Sequence, residues 1–134
     1  MPNKQTIQVP SLKATGPYSQ AVRAGGLLFV SGQPGINPST GESAGPTFEA
    51  QARQAFQNLD TALRAGGSRL DLVANTSITI ADLAHFPDLN RLFAEFFPAD
   101  PPARMVTQAP LPRNLLISIG CVAALDETTC STAF

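Results

Sequence analysis

The alternation of apolar and polar positions gives the first outline of the chain. In the run 114–124, Ile117, Ile119, Cys121 and Ala123 share one face, and Leu116, Ser118, Gly120 and Val122 share the other. Neither face carries a charge, so both are expected to be covered, and the run is predicted to lie in the middle of a sheet. A second extended run, 104–109, precedes it across Pro110-Leu111-Pro112-Arg113. The two prolines there lack N–H donors and favour a turn, so the two runs are predicted to form a hairpin. Upstream, 18–24 and Leu27-Leu28-Phe29-Val30 read as strands on either side of Gly25-Gly26, a glycine pair suited to a tight turn. A further strand is expected over 71–81, with Thr76, Ile78 and Ile80 on one face. Residues 1–15 are expected to be extended, the strand 27–30 to end at 31–35, and 37–41 to be a loop.

Two stretches switch to helical spacing. Ala52, Phe56, Leu59 and Leu63 form an apolar stripe, while Glu49, Arg53, Gln57 and Asp60 lie largely away from it. Thr47 is the expected N-cap, the helix reaches Arg64 or Ala65, and Gly66-Gly67 stops it. The second helix runs from about Pro87 to Phe97, with Leu89, Leu92, Phe93, Phe96 and Phe97 on its apolar side and Pro98 as its stop. The order is strand, strand, helix, strand, helix, strand, strand. Two helices on one face of a mixed sheet make an α+β sandwich, with a helix crossover between parallel strands.

A chain of 134 residues fits one domain, here 1–125, followed by a short polar tail over 126–134. Apolar residues make up 43%, enough for a packed core. Nine basic and ten acidic residues give a net charge of −1 without a Lys/Arg cluster, so nucleic acid is not an expected partner. No apolar run approaches a membrane span, and the N-terminus lacks an apolar signal core; no membrane association and a cytoplasmic location are expected. Cys121 and Cys130 are expected to be free thiols. His85 is the one histidine, which excludes a histidine-pair mechanism and a multi-histidine zinc site; no metal is expected.

Arg104 is the only charged side chain between Asp100 and Arg113. A guanidinium without a local carboxylate partner can take one from a ligand in bidentate geometry. It can equally be an edge arginine whose head reaches into water.

Several stretches together resemble the RidA/YjgF family of reactive-intermediate (enamine/imine) deaminases. They are Gly16-Pro17-Tyr18-Ser19-Gln20-Ala21; Leu28-Phe29-Val30-Ser31-Gly32-Gln33; Asn37-Pro38 with Thr40-Gly41; Gln51-Ala52-Arg53-Gln54; Asp82-Leu83, Phe86, Asn90 and Phe96-Phe97; and Pro102-Ala103-Arg104 with Leu111-Pro112. They occur in family order over nearly the whole chain. The resemblance implies a chorismate-mutase-like fold, a homotrimer with ligand clefts between subunits, no cofactor, and an enzyme that hydrolyses small 2-imino acids to 2-keto acids and ammonia. It places the carboxylate-holding arginine on Arg104, the site tyrosine on Tyr18, and the Ser-Gly after the second strand on Ser31 and Gly32. The second-helix asparagine falls on Asn90, and Val106 stands where a cysteine is often found. Tyr18 and Ser31 can also be read as a packed ring and a turn hydroxyl, and Asn90 as a helix-surface amide.

One departure bears on catalysis. Deaminating members commonly carry a water-activating glutamate in an Ile-Glu-Ile-Glu-like run of the last strand. Here the run reads Ile117-Ser118-Ile119-Gly120, with Ser118 at the aligned position and Gly120 two residues on. A hydroxyl orients water but is a poor base, and loss of a positioned general base slows a reaction by about 10²–10⁴. The implied outcomes are a weak imine deaminase or a non-catalytic trimer that binds small carboxylates. Ribonuclease or translation-inhibitor activity, described for some relatives, finds little support in one tyrosine, no tryptophan and a net charge of −1.

Overall fold

The computed structural model describes residues 3–126. Six strands form one sheet: β1 (Lys4–Ile7), β2 (Ala21–Ala24), β3 (Leu27–Pro34), β4 (Val73–Ile80), β5 (Ala103–Gln108) and β6 (Ile117–Ala124). Two helices, α1 (Phe48–Ala65) and α2 (Phe86–Phe96), complete it. The strand order is β1-β2-β3-β6-β4-β5. The fold is the expected α+β sandwich, and β6 is central, paired antiparallel to β3 and to β4.

The expected hairpin between 104–109 and 114–124 does not form. β5 pairs parallel to β4 at the sheet edge, and β4 stands between β5 and β6. The prolines do break the chain, but the turn they make carries it past β4 rather than back along β5. The parallel β4–β5 pair is joined through α2, the crossover the element order requires. β1 is an additional short strand within the segment expected to be merely extended; it pairs with β2.

Both helices cover one face. Leu28 and Val30 of β3, Ile78 and Ile80 of β4, and Ile117 and Ile119 of β6 are buried there against Phe56, Leu59 and Leu63 of α1 and Leu89 and Leu92 of α2. Phe56 joins the helices, stacking on Phe96 at 4.6 Å and meeting Phe93 and Phe97 edge-on at 6.3 and 6.1 Å. Thr47 caps α1, its hydroxyl accepting from the Ala50 amide at 3.2 Å. His85 stands at the start of α2 with its ring stacked on Phe48 at 4.6 Å. On the outer side, Arg53 bonds Glu95 at 2.9 Å and Arg91 bonds Glu49 at 2.6 Å, tying the helices by exposed charge pairs. The Arg91 and Arg53 hydrogen bonds hold the Glu49 carboxyl below the usual carboxylate range.

The opposite sheet face is open within the single chain, so the covering expected for both faces of β6 is present on one face only among the described residues. Ser118, Gly120, Val122 and Ala124 are only half-buried, and Phe29 and Met105 beside them are 44% and 64% exposed. The two helices are spent on the other side, and among the described residues no element covers this one.

Two glycines make close approaches that a side chain would prevent. The β3–β6 register shifts between Val30 and Gln33, so Ser31 and Gly32 form an irregularity in the ladder. A Cβ on Gly32 would lie 2.6 Å from the Ser118 hydroxyl. At the end of β3, a Cβ on Gly35 would lie 2.3 Å from the Gln51 carbonyl oxygen of α1. The latter neighbour is helix backbone and cannot yield cheaply. Gly35→Ala is therefore expected to destabilise by about 1–3 kcal/mol or more, the usual range for overpacking, measured as a fall in melting temperature.

Gly32→Ala meets only a hydroxyl that can be removed. Its loss of stability is expected to shrink when combined with Ser118→Ala. The coupling in a double-mutant cycle should fall within about 0.5–3 kcal/mol; strictly additive effects would show that the two positions do not touch.

Candidate functional site

The residues singled out in the sequence separate into two groups on the two faces of the sheet. Arg104 lies on the edge strand β5, opposite Thr76 of β4, whose side chain points to the helix face. Its Nη1 donates to Asn90 Oδ1 of α2 at 2.8 Å. Its guanidinium carbon also sits 4.9 Å from the Phe93 ring centroid and 5.4 Å from that of Phe86. Arg104 and Asn90 are both exposed. The sequence named both residues but not their contact, which depends on α2 crossing back over β5. Val106, two residues along the same side of β5, packs against the hydrophobic core.

Tyr18, Gly32 and Ser118 form the second group. They line one cavity of about 380 Å³ together with Pro34, Leu111 and Arg113. Tyr18 is 47% exposed, and its hydroxyl lies 3.3 Å from the Thr15 amide, which donates to it. Ser31 is half-buried; its hydroxyl donates to the Ser19 carbonyl at 2.6 Å, and its amide donates to Gln20 O at 3.0 Å. The Ser31 hydroxyl proton is thus committed within the protein, and its oxygen remains an acceptor. Ser118 is half-buried on the open face, where β6 meets the Ser31–Gly32 irregularity. Gly120 follows on the same face; a Cβ there would lie 3.1 Å from the Val30 carbonyl oxygen.

Arg104 borders none of the cavity that Tyr18, Gly32 and Ser118 share. Arg104 and Ser118 stand on different faces, with β4 between their strands. Within one chain the two groups therefore do not meet.

Strand residues of β3 and β6 and the loops beside them form the cavity walls, and buried amides hold the loops. Gln20 Oε1 accepts from the Val9 amide at 2.7 Å, and its Nε2 donates to Leu12 O at 2.6 Å. Asn58 Nδ2 donates to the carbonyls of Pro34 and Ile36 at 3.1 and 2.9 Å. Gln51 accepts from the Leu116 amide at 2.8 Å and donates to Gly45 O at 2.9 Å. All three amides are buried. Sequence reading named Gln20 and Gln51 only within family-like stretches and gave none of the three a role, since a polar amide looks like a solvated position; the one signal is that Gln51 and Asn58 fall beside the apolar stripe rather than opposite it.

No group of three or more His, Cys, Asp or Glu side chains suited to hold a metal occurs among the described residues. Burial pushes the Cys121 thiol up to about 12, so it is no nucleophile at neutral pH. The expected free thiol at Cys130, and all of the tail beyond Asp126, lie outside the described residues. Among the described residues no helix is long and apolar enough to cross a membrane.

Comparison with known proteins bears directly on this arrangement. Residues 8–125 match the family model described as Endoribonuclease L-PSP. The chain is 43% identical over 113 residues to Reactive Intermediate Deaminase A, chloroplastic, of Arabidopsis thaliana, covering 84% of this chain and 60% of that protein. It is 34% identical over 128 residues to a 2-iminobutanoate/2-iminopropanoate deaminase of Dermatophagoides farinae, covering 94% of this chain and 100% of that one. Among solved structures it is similar to RidA from an Antarctic Psychrobacter, with a TM-score of 0.85, 35% identity, and coverage of 90% and 99% of the two chains. A family model over residues 8–125, relatives along most of the chain and matching solved structures agree: this chain belongs to the RidA/YjgF family.

Proposed function

We propose that this protein hydrolyses small 2-imino acids to 2-keto acids and ammonia, in clefts formed between the subunits of a homotrimer. The observation that carries the reading is Arg104: an exposed guanidinium, oriented by Asn90 and two rings, with no carboxylate partner among the described residues. Asn90 engages only Nη1, which leaves other donors of the fork for both oxygens of a substrate carboxylate. The family relationship supports the reaction. The separation of Arg104 from Tyr18 and Ser118 supports a cleft that draws on two subunits. The open sheet face, with exposed Phe29, Leu27 and Met105, supplies apolar surface for that assembly.

In this reading Arg104 holds the substrate carboxylate and draws electron density from the adjoining imine carbon. Tyr18 packs over the substrate side chain. Ser118 and the Ser31 oxygen orient a water. Water adds to the imine carbon, its proton passes to nitrogen, and the carbinolamine then expels ammonia as the keto group forms. Neither Ser118 nor Gly120 supplies a carboxylate to take the proton from water, so turnover is expected to be slow. The same feature favours a second reading, in which the trimer binds small keto acids without turning imines over.

Ammonia release from freshly generated 2-iminobutanoate distinguishes the two. A rate above the uncatalysed hydrolysis supports the enzyme, and binding of 2-oxobutanoate without any acceleration supports the second reading. Sedimentation equilibrium should give about three times the 14.1 kDa chain mass; a monomer would remove the shared cleft.

Arg104→Ala should nearly abolish 2-oxobutanoate binding and Arg104→Lys should weaken it, since a charge-assisted hydrogen bond contributes roughly 1.5–3 kcal/mol. Neither change should lower the melting temperature much, because the head group is exposed. Wild-type affinity in Arg104→Ala would overturn the carboxylate clamp.

A further inference from the structure

We infer that Arg113 selects for a second anionic group on the substrate, so that imino acids carrying a side-chain carboxylate are preferred. This rests on the cleft beside Tyr18 being the substrate site. That cleft has two adjoining chambers. The larger holds Ser118; the smaller, of about 140 Å³, reaches Lys13 and the buried Asn58. Tyr18, Gly32 and Arg113 border both. Among the described residues, the only charged side chains lining either chamber are Lys13 and Arg113, and no Asp or Glu lines them. The described lining is therefore positive and presents no carboxylate to an entering anion.

Arg113 is also unlike most other arginines of the protein. Arg53, Arg64, Arg69 and Arg91 each meet a carboxylate. Arg113 forms no ion pair among the described residues; its Nη2 donates to the Gly41 carbonyl at 3.0 Å. That bond crosses from the 112–114 turn to the loop on the far side of the cleft and leaves the other donors of the fork uncommitted.

Its backbone adds an independent argument. Arg113 has φ 59° and ψ 25°, and Asn114 follows with φ 54°. Left-handed conformation is unfavourable for a long side chain, and asparagine or glycine is the usual occupant. Here both residues are left-handed, and of the two only the arginine is an unusual occupant. Strain of this kind persists where the surroundings fix it, and the hydrogen bond to the Gly41 carbonyl holds the side chain beside the smaller chamber.

The division of labour follows. Arg104 lies on another face and takes the carboxylate next to the imine, and Arg113 takes a carboxylate at the far end of the side chain, with Lys13 adding positive potential deeper in. The ligand class is the short dicarboxylic 2-imino acid and the corresponding 2-keto acid.

Calorimetry with 2-oxoglutarate and 2-oxobutanoate, on the assembled protein at fixed ionic strength, tests this. Wild type should bind 2-oxoglutarate about 10- to 100-fold more tightly, the worth of one added charge-assisted contact. Arg113→Asn suits the left-handed backbone and should bring the two affinities together, while Arg113→Lys should retain part of the preference. Equal affinities in wild type would overturn the inference without recourse to any variant. So would a preference that survives Arg113→Asn. Binding of 2-oxobutanoate in either case would leave the imine-deaminase reading standing; binding of neither keto acid would overturn both.

Discussion

The cleft depends on three buried side-chain amides. Regular strands and helices satisfy their own backbone groups, but the Val9, Leu12, Gly45 and Leu116 groups lie outside the strands and helices, and Pro34 and Ile36 stand at and just beyond the end of β3. Buried and unpaired, each such group would cost roughly 1–3 kcal/mol. Gln20, Asn58 and Gln51 supply the missing partners from neighbouring elements. Each amide makes two such bonds; Gln20 and Asn58 each pin one segment at two points, and Gln51 ties two separate segments together. Two of them project from α1, which makes the long helix a rail from which the cleft walls hang. Gly35 is part of the same arrangement, because its bare Cα lets the end of β3 rest against the α1 backbone beside Gln51.

The regular part of this structure was legible in the sequence for a simple reason. Burial by a single helix layer imposes period 3.6 on α1 and α2 and period 2 on β6, and those periods survive in residues such as Phe56, Leu59, Ile117 and Ile119. The position of β5 was not legible. Nearness in sequence favoured pairing 104–109 with 114–124, whereas the actual partner of β5 is β4, reached across α2. Pairing is decided by backbone geometry and packing over long separations, and alternation within a strand does not name its neighbour.

The candidate site was legible residue by residue but not as an arrangement. Arg104 and Asn90 were each named from motifs, while their 2.8 Å contact requires the crossover geometry. Tyr18, Gly32 and Ser118 do come together on one cavity, because the break in the β3–β6 ladder brings Gly32 against Ser118. Arg113 was read only as part of a proline-bounded turn. Nothing in its neighbours announces a left-handed arginine reaching across to Gly41.

The central place of β6 also bears on how the molecule is made. It is the last in sequence of the described strands, yet β3 and β4 have no contact in the sheet without it. Until 117–124 leaves the ribosome, β3 and β4 each present an unpaired edge, and Ile78, Ile80 and Val30 lack their strand neighbours. The emerging chain can form α1 and the β2–β3 pair locally, but the sheet closes in one late step that joins two separate halves. Such non-local closure is slow, and exposed edges invite pairing with other chains. Nascent copies crowded on one message are thus at greatest risk of wrong association just before this strand arrives.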